Sequence, residues 1–250
     1  MPSKPYGSIC ALSKGCALIE PRWTLLILNQ IWNGYTHFSD IRRAVGNISP
    51  GVLSKRLEEL KDAGLIERIE DAGKGTVDYV RTQKAIDLEP IMDALSIWAQ
   101  RNIDADIALA ESDLSQMMWA FQKHIKREAL PARRVVIRCH FSDESGPYPN
   151  YWLVADPGAE IEVAMTYYLP AAGVDIDLYV ETTKPSWHAL FLGRSTIARE
   201  IEAGRLYLTG DALLVRTMPN WLPRSSYADV DGIQMLAFSA TSTPTPTSAP

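Results

Sequence analysis

Between Thr36 and Val80 the spacing of apolar residues changes from a helical period to an alternating one. The first helical stretch is predicted to begin at Ser39 or Asp40 and to end at Gly46, because glycine readily takes the left-handed conformation found at helix ends. Its apolar face is formed by Phe38, Ile41 and Val45. Asn47 and Ile48 are then predicted to form a tight turn.

A second helix is predicted directly after this turn. Ser49 is a favourable N-cap, Pro50 is favourable at the first helical position, and Gly64 ends the helix after about Ala63. The inner face carries Leu53, Leu57 and Leu60. The outer face carries Gly51, Lys55, Glu58 and Glu59, flanked by Val52, Ser54 and Arg56.

Two alternating segments follow the second helix. Residues 65–70 and 77–80 predict two strands, and residues 71–75 predict the turn between them, with Lys74 at its tip. A helix, a tight turn, a second helix and a two-stranded wing are typical of proteins that insert one helix into DNA. Because Glu58 and Glu59 lie in the third turn, we expect this helix to enter the groove by its N-terminal end, where its dipole favours phosphate.

The predicted contacts with double-stranded DNA form two sets. The residues expected to face the major groove are Ser49, Gly51, Val52, Lys55 and Arg56. The cations expected to hold phosphates are Arg42, Arg43, Arg68 and Lys74. For any one of these cations, a solvated surface charge is an equally good interpretation, and only the set in its order predicts DNA binding.

Length and composition favour two domains. A chain of 250 residues with 46% hydrophobic and 22% charged residues can bury two ordinary cores. We expect a first domain over residues 1–101, a linker over 102–113, a second domain over 114–230 and a disordered tail over 231–250. The net charge of −5 argues against a general nucleic-acid binder and favours a site-specific protein that uses local cations.

The sequence also indicates where the protein acts and argues against catalysis. No stretch is apolar for the length that a bilayer requires, and the N-terminus lacks the hydrophobic region of a secretion signal, so a cytoplasmic protein without membrane contact is expected. Cys10, Cys16 and Cys139 form no metal-ligand spacing. The four histidines are unpaired and no phosphate loop or nucleophile elbow occurs, so no enzyme activity, cofactor or metal is expected.

Specific segments of the first half match a known family. They are Cys10, residues 22–28, residues 38–43, residues 48–50, residues 53–57, Leu60 and residues 63–66. Over residues 10 to about 101 the chain resembles the HxlR-type winged-helix transcriptional regulators. The resemblance implies a homodimer on a two-fold symmetric operator, often a repressor, with the dimer formed by the N-terminal segment and the helix after the wing.

The residues themselves agree with a dimer helix after the wing. Its apolar stripe is longer than a small winged domain needs for its own core and contains Leu88, Ile91, Leu95 and Trp98. Two recognition helices would then lie about 34 Å apart, one turn of DNA.

The resemblance also raises a redox hypothesis for Cys10. Some members sense oxidants through a cysteine just before the first long helix, and Cys10 lies at that position. Lys14 could supply the cation that populates a reactive thiolate. A small apolar residue near a dimer contact is the alternative role for Cys10.

The second half predicts a helix and then a sheet. Residues 114–126 have a helical apolar face, and alternating residues predict strands around 135–141, 151–155, 161–165 and 176–180. Helices at 186–191 and 195–203, a strand at 206–208 and a helix from Asp211 complete the order. Short turns between consecutive strands predict an antiparallel sheet with one apolar face. The whole chain is therefore expected to be an α+β protein.

Several closing motifs of this half also match a known fold. They are residues 192–194, Ile201, residues 203–206, Leu208, residues 210–211, Leu214 and Trp221. Over residues 114–223 the chain resembles the sterol-carrier-protein-like fold, which implies an antiparallel sheet covered by helices around an apolar pocket for a hydrophobic small molecule. The candidate pocket residues are Trp152, Met165, Trp187, Phe191 and Trp221.

Two interpretations of the second half stay open. The five candidate pocket residues could instead be ordinary core residues. The rival function for the whole chain is a carrier of hydrophobic ligands whose winged domain only dimerises.

Overall fold

The computed structural model describes residues 10–71, 73, 75–109, 113–145, 150–165 and 175–237. Lys74, the side chain of Met165 and residues 241–250 lie outside this description. The chain divides into two compact units, Met1–Ser96 and Ile97–Pro250. Across the described residues, no helix combines the length and apolar character needed to cross a bilayer.

The first unit is mainly helical and ends in a two-stranded sheet. Its elements are α1 (Ala11–Ile19), α2 (Thr24–Trp32), α3 (Phe38–Val45), α4 (Pro50–Asp62), β1 (Ile66–Asp71), β2 (Thr76–Arg81), α5 (Gln83–Ile86) and the first part of α6 (Glu89–Asn102). Its core is closed by apolar residues of α2, α3, α4 and β1, namely Ile27, Leu28, Ile31, Ile41, Leu53, Leu57, Leu60 and Ile66. The helical spacing of these residues is what directs three helices toward one centre.

The wing is fixed at its base by a short third partner. β1 and β2 are antiparallel and in register from Ile66 opposite Arg81 to Asp71 opposite Thr76. His37, just before α3, pairs with Asp78 of β2, and the Tyr79 amide donates to the Thr36 carbonyl at 2.8 Å. The wing is therefore tied to the start of the helix-turn-helix. Strands are predicted from the alternation of apolar and polar residues over several positions. His37 pairs as a single residue, so the sequence did not indicate this pairing.

The second unit packs helices against a five-stranded sheet. After the end of α6 come α7 (Ala105–Leu109), α8 (Leu114–His124), a 3₁₀ turn (Arg127–Ala129), β3 (Val135–Phe141), β4 (Asn150–Ala155), β5 (Glu162–Met165), β6 (Leu178–Thr182), α9 (Lys184–Leu192), α10 (Ile197–Glu202), β7 (Leu206–Gly210) and α11 (Ala212–Trp221). Side chains of Thr183, Thr196 and Asp211 cap the last three helices. These caps satisfy backbone N–H groups that a helix start leaves without partners.

The sheet is mixed, which corrects the expected antiparallel arrangement. Its strand order is β5-β4-β3-β6-β7. β3 and β6 run parallel in the centre, whereas the other three neighbouring pairs are antiparallel. Parallel pairing needs a long crossover connection, and the β3-to-β6 connection contains β4 and β5. The short turns therefore predict the antiparallel pairing of β3, β4 and β5, but not the parallel pairing of β6 with β3.

One face of the sheet forms the main core. Alternate β3 residues, Val135, Ile137, Cys139 and Phe141, are buried in one cluster with residues of α8, α9 and α11. The helices contribute Leu114, Met118, Phe121, Trp187, Leu190, Leu214, Met218 and Trp221. The period-two spacing of β3 thus sets which side of the sheet meets the helices.

The structure differs from the predicted linker and tail at both ends of the second unit. Helix α7 lies within residues 102–113, and its Ala105 and Leu109 are buried against Ala189. Residues 231–237 are also fixed: the Leu236 amide donates to the Arg194 carbonyl at 2.7 Å, and Arg194 Nη1 donates to the Gln234 carbonyl at 3.1 Å. Polar composition did not indicate the order of residues 231–237, because hydrogen bonds to backbone groups, which need no apolar side chains, hold them; α7 is held by its apolar residues.

Candidate nucleic-acid interface

The start of α4 is built to be exposed. Ser49 Oγ accepts a hydrogen bond from the Val52 amide at 3.3 Å, and Pro50 occupies the first turn. Leu53, Leu57 and Leu60 are buried on the opposite side. Residues 49–52, here called the α4 tip, are all exposed, and Val52 exposes 40% of its surface. The structure therefore leaves the α4 tip accessible while the leucines hold the helix in the core.

Gly51 adds close access to this tip. It has an ordinary helical φ, and a Cβ built there would meet no atom within 4 Å. The fold therefore does not require glycine at position 51. A residue without a side chain would, however, let the helix backbone approach a flat surface closely.

Lys55 and Arg56 differ in availability. The Lys55 side chain is 55% exposed, and its Nζ lies 3.8 Å from Glu59 Oε1, the geometry of a weak surface pair. The Arg56 side chain is only 22% exposed and is hydrogen-bonded to Glu59. The two predicted groove residues are thus not equivalent, since Arg56 is already held by a carboxylate of its own helix.

Arg42 and Arg43 lie in the last turn of α3. Both residues are exposed. Arg42 Nε lies 3.5 Å from the Ile48 carbonyl, so this side chain also contacts the turn between α3 and α4. The contact is long for a hydrogen bond and leaves most guanidinium donors unused by it.

The wing carries mixed charge in its described part. Arg68 of β1 is hydrogen-bonded to Glu70, and this bond, together with Tyr79, raises the pKa of Arg68. Glu67 and Glu70 are exposed on the same strand. A phosphate near this strand would therefore meet carboxylates as well as Arg68. Lys74, predicted for the wing tip, lies outside the described residues.

Helix α6 exposes the predicted apolar stripe. Ile91, Leu95 and Trp98 expose 54%, 49% and 56% of their surfaces. Met92, on the other side of the helix, is buried and exposes only 9% of its surface. Leu88, also predicted for this stripe, is half-buried. We call Ile91, Leu95 and Trp98 the α6 stripe.

Helix α1 also exposes apolar surface. It has no buried residue, and its Leu12 is 74% exposed. Large apolar residues exposed in a row are typical of an interaction surface.

Cys10 is exposed at the N-terminal end of α1. Hydrogen bonds from the backbone N–H groups of Ser13 and Leu12 lower the pKa of its thiol. The cause is thus the helix N-terminus rather than the predicted charge of Lys14. Cys16 is half-buried, and burial raises the pKa of Cys139 to about 12.

The predicted pocket residues do not form one group. Trp187 and Phe191 surround Phe121, with ring centroids 5.3 and 5.6 Å from it, and Trp221 Nε1 donates to the Leu214 carbonyl at 3.0 Å. These three belong to the packed core or contact it. Trp152 is also buried, but it alternates with the core residues of β4 and lies on the opposite face of the sheet. The side chain of Met165 lies outside the described residues.

Comparison with known proteins agrees with the geometry of the first unit. The family model for the HxlR-like helix-turn-helix matches residues 18–107. The chain is 37% identical over 92 residues to YvaP of Bacillus subtilis, an uncharacterised HTH-type transcriptional regulator, and this match covers 36% of the chain and 85% of YvaP. The chain belongs to the HxlR-like helix-turn-helix family.

Two further matches lie in the same region. An uncharacterised HTH-type transcriptional regulator of Methanothermobacter thermautotrophicus is 31% identical over 93 residues, covering 37% of this chain and 71% of that protein. The solved structure of the reduced form of the transcriptional regulator YodB from B. subtilis matches with 26% identity and a TM-score of 0.35, covering 38% of this chain and 96% of that chain. The protein is a transcriptional regulator of the HxlR type, with a winged helix-turn-helix in its first unit.

Proposed function

We propose that the protein is a cytoplasmic homodimeric repressor that binds a two-fold symmetric DNA operator through the α4 tip. The observation that carries this proposal is the exposure of residues 49–52 on a helix whose leucines are buried. Ser49, Gly51, Val52 and Lys55 face the major groove. Arg42, Arg43, Arg68 and Lys74 hold phosphates. Arg56 joins the groove contacts by exchanging Glu59 for DNA.

The α6 stripe supports the dimer. Three large apolar side chains at a spacing of three and four residues form one surface on a helix, as expected for helix-to-helix packing. In a two-fold dimer the same stripe meets its own copy. The two α4 helices then read half-sites about 34 Å apart.

Lys55 provides the direct test of the groove contact. Lys55→Ala should weaken binding to the DNA upstream of the protein's own gene by about tenfold or more, as measured by gel shift at fixed salt, because a lysine-to-base contact contributes about 1–3 kcal/mol. Lys61→Ala is the matched control, since Lys61 lies at the far end of α4 and pairs with Glu58 at 2.5 Å. Equal affinities of both variants and the native protein would contradict the proposal.

We also propose that a hydrophobic effector binds the second unit. One support for this effector is the resemblance to the sterol-carrier-like fold. The other is the buried Trp187 Nε1, which has no hydrogen-bond acceptor among the described residues. A ligand with an acceptor oxygen beside Trp187 would satisfy this N–H. Native mass spectrometry of the purified protein should reveal a bound lipid-like molecule; a mass equal to that of the chain alone would contradict this effector.

The rival carrier function makes a different prediction. A carrier whose winged unit only dimerises would hold the same lipid-like molecule but would not bind upstream DNA. The exposed α4 tip favours the regulator, because a dimerisation platform does not need that helix end to be accessible. The Lys55 gel shift separates the two functions.

A thiol switch at Cys10 is a second candidate mechanism of control, favoured by the exposure of Cys10 and the lowered pKa of its thiol. Peroxide should release DNA from the native protein but not from Cys10→Ser. Cys16→Ser serves as the control and should respond like the native protein. Equal release from native protein and Cys10→Ser would exclude this mechanism.

A further inference from the structure

The sheet face opposite the main core carries two rows of polar and aromatic side chains. Cross-strand pairing aligns the first row across β4, β3, β6 and β7 as Trp152, Arg138, Tyr179 and Thr209. The second row, two residues away on each strand, is Asn150, His140, Glu181 and Tyr207. A cleft open to solvent lies on this face and is lined by members of both rows: Arg138, His140, Tyr179, Glu181, Tyr207 and Thr209.

Arg138 is held in place without a carboxylate. Its guanidinium lies 5.7 Å from the ring centroid of Trp152 and 6.0 Å from that of Tyr179, and its Nε donates to Asn150 Oδ1 at 3.1 Å. Among the described residues, Nε is the Arg138 nitrogen that has a hydrogen-bond partner, and Arg138 forms no ion pair within 4.0 Å. Arginine usually satisfies such donors with a carboxylate or phosphate.

Asn150 also fixes the tautomer of His140. His140 Nδ1 lies 3.1 Å from the same Asn150 Oδ1. Because Arg138 Nε can only donate, the Asn150 atom that faces it must be the amide oxygen, and His140 Nδ1 must therefore carry a proton. Asn150 is buried at 4% exposure, so one buried side chain orients both groups of the cleft. In neutral His140, Nε2 is the acceptor.

The remaining walls of the cleft are aromatic. Tyr179 and Tyr207 expose 41% and 58% of their surfaces. They lie on neighbouring strands in successive rows, so their rings border the space beside Arg138. Exposed tyrosines next to an oriented guanidinium combine apolar flat surfaces with a fork of donors that matches a carboxylate.

We propose that this cleft binds a small planar aromatic carboxylate. The carboxylate accepts hydrogen bonds from the terminal nitrogens of Arg138, and the ring packs against Tyr179 and Tyr207. Glu181 lies one row from Arg138 and repels the anion, which disfavours ligands with several negative charges. The site is separate from the hydrophobic effector proposed above, since that effector would lie in the core on the other face of the sheet.

Direct binding to the full-length protein tests the ligand class, and needs no DNA. By titration calorimetry, 2-naphthoate should bind with a measurable affinity. Naphthalene-2-carboxamide, which has the same shape without the charge, and cyclohexanecarboxylate, which has the charge without the aromatic ring, should each bind at least about tenfold more weakly. Absent 2-naphthoate binding up to millimolar concentration, or equal binding of the carboxamide, would overturn the proposal.

Charge substitutions with opposite expected signs locate the site. Arg138→Met should weaken 2-naphthoate binding by about tenfold or more, whereas Glu181→Gln should strengthen it because a nearby negative charge is removed. Arg216→Met, at an exposed position of α11, is the matched control and should bind like the native protein. Unchanged affinity in Arg138→Met, or weaker binding in Glu181→Gln, would overturn the proposal.

Tyr207→Leu keeps the test decisive if Arg138→Met fails to fold. Tyr207 and Glu181 are both exposed, so their substitution leaves the core packing intact. Tyr207→Leu should weaken 2-naphthoate binding several-fold through loss of the ring contact. If Tyr207→Leu binds 2-naphthoate with native affinity, the ligand does not bind in the cleft and the proposal is overturned.

Discussion

Ser49 Oγ and the Val52 backbone amide are 3.3 Å apart, so the side chain that caps α4 lies within the surface proposed to meet DNA. One residue thereby affects both the stability of the helix and the geometry of the interface. The cap holds the first turn of α4 in shape before any DNA is bound.

Ser49→Ala should therefore lower stability and operator affinity together. Loss of an N-cap costs about 1 kcal/mol of unfolding free energy. Urea denaturation of the full chain, followed by a gel shift, measures both effects. Ser54→Ala, an exposed serine of the same helix without a capping role, should leave stability unchanged within about 0.5 kcal/mol. Native stability in Ser49→Ala would contradict the capping role.

The α6 stripe predicts the assembly state. Leu95→Asp should convert the dimer into a monomer, because a carboxylate would be desolvated between two apolar helix faces. Size-exclusion chromatography with light scattering gives the mass directly. Asp93→Ala, an exposed substitution on the same helix outside the stripe, should remain dimeric. A dimeric Leu95→Asp protein would show that the stripe is not the interface.

Much of the first unit could be predicted because its signals are local. Ser49, Pro50 and Gly64 placed α4 between Pro50 and Asp62, within one residue of the predicted end. The buried leucines followed from helical spacing alone. The state of Arg56 could not be predicted this way, because its pairing with Glu59 rather than solvent depends on side-chain geometry.

The second unit was harder to predict because its decisive contacts are long-range. Alternating residues located β3 and β4, but the parallel pairing of β3 with β6 joins residues about forty positions apart, such as Ile137 and Leu178. The cleft around Arg138 depends on that pairing. The spacing of aromatic residues along the chain does not show that Trp152 and Trp187 lie on opposite sides of one sheet.

A buried ion pair predicts how the second unit responds to acid. Glu200 is fully buried and accepts two hydrogen bonds of 2.8 Å from Arg205. Burial alone would raise the pKa of Glu200, but the hydrogen bonds from Arg205, Ser186 and Ser195 outweigh it and lower the pKa. The carboxylate therefore adds stability above the ordinary glutamate pKa of about 4.3, and this contribution is lost as pH falls through the lower folded-state value.

Arg205→Met should remove this stabilisation. It leaves a buried carboxylate without its main partner, at a cost of about 3–5 kcal/mol in unfolding free energy at neutral pH. The variant should lose less stability on acidification than the native chain, because protonated Glu200 no longer breaks an ion pair. Circular dichroism melts from pH 7 to 3 measure both effects, and a variant with native stability at neutral pH would contradict this role.

Gly193 is a second position in this unit where a substitution should lower stability, here because a side chain has no room. It ends α9 with φ +75°, and a Cβ there would lie 2.0 Å from the Ala228 carbonyl oxygen. Gly158 has φ +73° but open space around its Cβ position. Gly158→Ala should therefore cost about 1 kcal/mol for the backbone conformation alone, and Gly193→Ala several times more. Equal unfolding free energies of the two variants would show that Ala228 moves away without cost.

The central claim is that the α4 tip lies against DNA bases, and Gly51→Leu tests it most directly. Open space around Gly51 allows the side chain, and at the second position of α4 the replacement should not lower the unfolding free energy. The leucine side chain at position 51 would hold the α4 tip away from the DNA major groove. We predict a folded dimer at least as stable as the native protein that has lost operator binding in a gel shift. A stable dimer with native operator affinity would contradict the account.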